Sequence, residues 1–232
     1  MLQGAAEIAP VSSSAQLALL PHLLGWPEPA DRNGLAAGLH AGSSLGVAWS
    51  LRDDLRTLDR RTAGRLALAT APAAVAGLLA GDGVEPGPLG TALLLGGAGA
   101  VLWWADRRPQ DRPVDGRALA WASAAQVVAL APGVSRAGAT LTALRLCRVE
   151  RAEAARTSML MSLPVTAGAA ALTCVRARPG RDVLLGAPPA ALTAGLLGAR
   201  ARASRWLLSG SALYRLGLAT AVVVQHSRRR QA

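Results

Sequence analysis

The chain has 232 residues, 51% of them hydrophobic, and a mean hydropathy of +0.30, a balance too apolar for an ordinary soluble domain. All 25 basic residues are arginine and the formal charge is +11. The arginines crowd into a few loops, which argues against a nucleic-acid partner and for a membrane protein with charge-sorted loops.

Residues 1–24 form an apolar run interrupted by Gln3-Gly4-Ala5-Ala6-Glu7-Ile8-Ala9-Pro10-Val11-Ser12-Ser13-Ser14. Proline removes a backbone donor and the serines compete for the backbone, so a helix breaks there and hydroxyls collect at the break. Such a segment reads as a re-entrant pair of half-helices, tolerable in a bilayer only when its irregular backbone is buried in protein or wet. Uninterrupted apolar stretches follow at 34–51, 66–80 and 89–105, with the basic segment 52–65 and a Gly/Pro turn at 81–88 between them. The linker 106–117 carries Pro109, Pro113 and four arginines. Beyond it, residues 118–147 are broken in their turn at Gln126-Val127-Val128-Ala129-Leu130-Ala131-Pro132-Gly133-Val134-Ser135-Arg136, and apolar stretches at 157–174, 183–199 and 207–225 follow.

The same order occurs twice, so the expected architecture is an all-α integral membrane protein of about six transmembrane helices and two re-entrant broken-helix pairs in an inverted repeat. Halves 1–105 and 118–225, joined by 106–117, make one domain over 1–232, because the two breaks need each other to complete a site. Arginine density places segments 52–65, 106–117 and 148–156 in the cytoplasm and 25–33 and 81–88 outside. Arg176, Arg178, Arg181 and Arg228 to Arg230 fall on the outer side by this count, against the rule. Trp26, Trp49, Trp103, Trp104, Trp121 and Trp206 stand near the ends of apolar segments, as headgroup-level belt residues do. Cys147 and Cys174 lack a Cys-x-x-Cys partner and read as free thiols, and no cleavable leader is visible before the first motif.

Glu7 is an ionisable group in an apolar stretch, which costs at least ~2.5–3.5 kcal/mol unless it is paired or hydrated. It is a functional candidate, or else a solvated group near the surface. Arg136 follows the same logic: its planar fork suits a phosphate, or else it pairs with a carboxylate or snorkels. Ser12, Ser13, Ser14, Ser135 and Thr140 add hydroxyls, and half-helices beginning after Pro10 and Pro132 present free N–H groups. Helix starts, a guanidinium and a carboxylate that can accept a proton together suit phosphoryl transfer.

The run Gln3-Gly4-x-x-Glu7-x-x-Pro10-Val11-Ser12-Ser13-Ser14 resembles the amino-terminal signature of the bacterial undecaprenyl-diphosphatase family, the bacitracin-resistance type. Pro132-Gly133-Val134-Ser135-Arg136-Ala137-Gly138-Ala139-Thr140 resembles its second signature, and similarity continues through Glu153 to Ser158, Pro164 and Tyr214-Arg215. The resemblance implies a plasma-membrane enzyme whose site faces outward and which hydrolyses undecaprenyl diphosphate to the monophosphate, recycling the envelope's lipid carrier and conferring bacitracin resistance. By position, it implies Glu7, Ser13 and Arg136 as acid/base, nucleophile and diphosphate clamp, with Gln3, Ser12, Ser14, Ser135, Gly138 and Thr140 around the phosphates. It also implies a divalent cation, Mg or Ca, for which Glu7 and phosphate oxygens are suitable hard ligands. The implied partners are the polyprenyl diphosphate lipid and the bilayer, with a homodimer as the admissible assembly.

The chain departs from the family pattern where Ser-Gly-His-Leu gives way to Ser14-Ala15-Gln16-Leu17, and Ala137 stands where a serine follows the arginine. Glu7 is then the candidate base, and His40, inside a crossing, reads as a packed or hydrogen-bonded histidine. Two alternatives keep the site but reduce its chemistry: a polyprenyl-phosphate flippase or carrier, and a weakly active member of the family. The other class of membrane lipid phosphatase, built on two histidines and a Lys/Arg signature, finds no matching residues here.

Overall fold

The computed structural model describes residues 2–27, 32–80, 86–176, 181–201 and 205–231. Outside them lie residues 28–31 of the expected outer loop, most of the turn at 81–88, and Arg178; the side chains of Cys174 and Trp206 are likewise undescribed.

Among the described residues the chain is helical, apart from one isolated bridge between Arg112 and Val149. The first broken run becomes α1 (Leu2–Ile8) and α2 (Ser13–Leu24), and the second becomes α7 (Gly116–Val128) and α8 (Arg136–Leu146). Between them run α3 (Arg32–Ser50), α4 (Arg52–Thr57), α5 (Arg60–Ala80) and α6 (Gly87–Ala105). After them come α9 (Arg151–Arg176), α10 (Arg181–Ala201) and α11 (Arg205–Gln231). Each of the six apolar stretches thus lies in one helix. The helices outrun the apolar cores because their charged end turns still close i to i−4 bonds, so the basic segment at 52–65 is largely helical. Among the described residues, α5 over Arg60–Leu79 and α6 are long and apolar enough to cross a membrane by length and composition.

Both breaks have the same local design. Ser12 precedes α2 with φ 67° and Ser135 precedes α8 with φ 69°, a backbone region rarely adopted by residues with a Cβ. Each serine repays that strain by capping: Ser12 Oγ accepts from Ala15 N at 3.4 Å, and Ser135 Oγ accepts from Gly138 N at 3.2 Å.

The packing interleaves the chain's two ends. Helix α3 lies closely along α10, where a Cβ on Gly42 or Gly46 would collide with the carbonyls of Ala187 or Ala191. Close backbone approach of this kind suits lipid, where burial from water does not drive helix association. Helix α1 packs on α10, α7 on α5, and α6 along α11. A core of Leu51, Leu102, Leu144, Met161 and Leu208 joins these elements, and Leu19, Leu95 and Val222 form a second cluster under α2. Many large apolar side chains among the described residues are exposed. Leu68 and Leu79 are 76% and 82% exposed, and Trp26, Trp49, Trp103, Trp104 and Trp121 are all exposed. Exposed apolar side chains in this number are what a bilayer covers. Arg52, Arg107 and Arg108 lie over the rings of Trp49, Trp103 and Trp104.

Candidate active site

The two breaks meet at Glu7. Its side chain is buried in the last turn of α1, and both of its oxygens are engaged. Oε1 accepts from Ser13 Oγ at 2.8 Å and from Gln3 Nε2 at 3.0 Å, with His40 Nδ1 at 3.1 Å. Oε2 accepts from Arg136 Nη2 at 2.7 Å, a charge-assisted bond between residues 129 apart in sequence. Ser13 and Arg136 occupy the same position at the two breaks, the first residue of the helix after the strained serine. One carboxylate is therefore clasped from both sides by equivalent points of two helices.

The remaining predicted residues surround this centre in other ways. Ser14 is exposed and shares a 3.2 Å contact with Ser12 Oγ. Thr140 is buried, and its hydroxyl donates to the Arg136 carbonyl at 2.8 Å. A Cβ on Gly138 would press into the Arg215 guanidinium, so glycine makes room for a buried cation there. The structure thus brings Gln3, Glu7, Ser13 and Arg136 together, while Ser12, Ser135 and Thr140 are bonded to their own helices. A narrow cleft of about 10 Å³, no more than a water's volume, borders Glu7 and Arg136 and is lined also by Ser158 and Ser162.

Three residues matter more than their sequence context suggests. His40 reaches Glu7 from α3 and is hydrogen-bonded, as expected of it; that it stands in the centre itself follows only from α3 packing against α1. Gln16, at the position of the motif histidine, is turned into the scaffold: it donates to the Val11 carbonyl at 3.1 Å and accepts from Tyr214 Oη at 2.6 Å. Arg215 on α11 is fully buried and donates to Pro10 O at 3.3 Å, Gly133 O at 3.3 Å and Val134 O at 2.6 Å. A single guanidinium therefore pins both breaks. The sequence marks it as an arginine in an apolar helix and as part of the Tyr214-Arg215 pair of the family resemblance, without indicating what it binds.

A carboxylate, a hydroxyl and a guanidinium converging from two broken helix pairs, inside an all-helical body with an apolar exterior, define a membrane protein with a polar centre fit for acid–base chemistry. Residues 1–224 match the model of the family described as bacitracin resistance protein BacA, and the chain belongs to that family. It is 38% identical over 202 residues to undecaprenyl-diphosphatase 2 of Stutzerimonas stutzeri (strain A1501), covering 75% of this chain and 73% of that protein. It is 40% identical over 198 residues to an undecaprenyl-diphosphatase of Geobacter sulfurreducens, with 74% and 72% covered, and 37% identical over 219 residues to one of Moorella thermoacetica, with 85% and 82% covered. These relatives bear the name of a phosphatase, which gives the carrier alternative no support.

Proposed function

We propose that this chain is a membrane phosphatase that hydrolyses undecaprenyl diphosphate to undecaprenyl phosphate and inorganic phosphate. Membership of the family supports the reaction, and the observation that carries the site is the clasp of Ser13 and Arg136 on the two oxygens of Glu7. The Ser13 hydroxyl already points its proton at Glu7 Oε1, the arrangement of a nucleophile and its base. An incoming diphosphate attracts Arg136, whose fork suits phosphate oxygens, and its departure frees Glu7 Oε2. Ser13 Oγ then attacks the terminal phosphorus as its proton passes to Glu7. The bond to the bridging oxygen breaks, and undecaprenyl phosphate leaves with that oxygen. Water cleaves the phosphoserine, and the proton held on Glu7 leaves with the products.

A divalent cation fits this centre only in part. Glu7 is its one carboxylate, and among the described residues no group of three or more His, Cys, Asp or Glu side chains stands ready to hold a metal. Mg is commonly held by one carboxylate together with substrate phosphates, so Glu7 would supply the protein ligand and the diphosphate the rest. Such an ion neutralises charge on the transferring phosphoryl group. The first-turn region of α8, with Ser135 and Gly138, and the serines Ser12 and Ser14 of the first break would border the phosphates.

We place the protein in the plasma membrane as a multi-pass chain whose two halves form an inverted repeat, with the centre open to the outer side. Reciprocal packing of α1 on α10 and α7 on α5, and the matched serine caps, support the repeat. The arginine-rich segments support the orientation. The decisive assay is phosphate release from polyprenyl diphosphate by the purified chain. Wild type should be active and Ser13→Ala should lose at least ~10²-fold in kcat. An undiminished Ser13→Ala enzyme would replace the phosphoserine route with direct attack by water.

A further inference from the structure

Outside the reaction centre, a groove of about 710 Å³ runs between α6, α7 and α8. Its walls are apolar, from Val101 on α6, Trp121, Ala125 and Val128 on α7, and Ala139 and Leu146 on α8. Val101, Trp121 and Val128 are exposed, so the groove opens outward along the helices. One end reaches Val134 in the second break. The other is edged by Arg112, Arg117 and Arg148, with Asp115 beside them.

These charges are incompletely matched. Arg112 and Arg117 are exposed and their side chains have no hydrogen-bond or ion-pair partner among the described residues. Arg148 pairs with Asp111, yet its Nε is buried with no hydrogen-bond partner. Asp115 caps α7 by accepting from Ala118 N at 2.7 Å. The result is a cationic mouth on an apolar slot.

The slot also has a telling depth. Arg117 and Val128 are eleven residues apart on one helix, hence ~17 Å at 1.5 Å per residue. That is about half of a ~30 Å hydrocarbon core, the reach of the tails of a single leaflet. We infer that this groove binds an anionic phospholipid, one tail lying along α7 with its phosphate held by Arg112, Arg117 and Arg148. A basic pocket between membrane helices on the arginine-rich side is a setting in which anionic headgroups are recognised.

Native mass spectrometry of the purified full chain in detergent, titrated with phosphatidylglycerol or phosphatidylcholine of identical tails, tests this. Phosphatidylglycerol should bind at least about tenfold more tightly. The Arg112→Ala/Arg117→Ala pair should abolish the preference, whereas Arg60→Ala/Arg61→Ala, on an exposed basic turn elsewhere, should retain it. Ala124→Phe, which fills the groove with its arginines intact, should weaken phosphatidylglycerol binding equally. Equal affinity for the two lipids, or tight binding that survives Ala124→Phe, overturns the inference. Displacement of phosphatidylglycerol by equimolar undecaprenyl phosphate would also overturn it, by giving the groove to the product lipid.

Discussion

Glu7 holds together side chains from α1, α2, α3 and α8, so a change of this one residue separates charge from shape. Glu7→Gln keeps the size and a hydrogen-bonding oxygen but cannot take the Ser13 proton, and kcat should fall by ~10²–10⁴-fold with the fold retained. Phosphate release and a melting curve on the same preparation distinguish this from unfolding. Gln16→His, which restores the family's motif residue, should not raise activity. Gln16 is tied to Val11 and Tyr214 rather than to Ser13, and an imidazole there would break two bonds without facing the serine. A tenfold gain in phosphate release would refute this. Glu7 was legible as a charge in an apolar run, and Arg136 likewise. Their meeting was expected from the paired breaks, but the direct bond between them and the presence of His40 beside it were not, because spacing does not specify individual contacts across 129 residues of chain.

At the level of elements, two buried arginines hold the non-helical segments in place. Arg145 bonds Asp106 Oδ1 at 3.2 Å and the carbonyls of Asp106, Arg108 and Val149, fixing the segment after α6 to α8. Arg145→Met should destabilise the protein by ~3 kcal/mol, since several buried acceptors lose their donor while Arg151 still neutralises Asp106. Chemical denaturation in micelles measures it. Arg215 behaves differently, because no carboxylate bonds to it among the described residues. Arg215→Met removes a costly buried charge, which offsets part of the loss of a donor to three carbonyls, so stability should fall by less than in Arg145→Met while kcat falls about tenfold or more as both breaks lose their common tie. A loss of stability equal to that of Arg145→Met would contradict the distinction. Both breaks were visible from Pro and Ser inside apolar runs. The guanidinium pinning them was hidden, because its acceptors are backbone carbonyls, and these leave no trace in residue identity.

The whole molecule depends on contacts between distant parts of the chain. Gly46 brings α3 against the Ala191 carbonyl, whereas Gly97 on α6 has open space around it. Gly46→Leu should therefore prevent accumulation of folded protein, and Gly97→Leu should be tolerated, as yield after size-exclusion chromatography would show. The helical architecture follows from hydropathy and breaks, and among the described residues each predicted apolar stretch lies in a long helix. Which helix meets which does not follow, since small residues recur throughout and fit several pairings. Because α1 rests on α10, the residues of the first break depend on a helix that begins only at residue 181. Gln3 and Glu7 are therefore translated well before the helix that packs along α1. A ribosome stalled before residue 181 leaves a product that holds Gln3, Glu7, Ser13, His40 and Arg136 yet lacks the helix on which α1 rests.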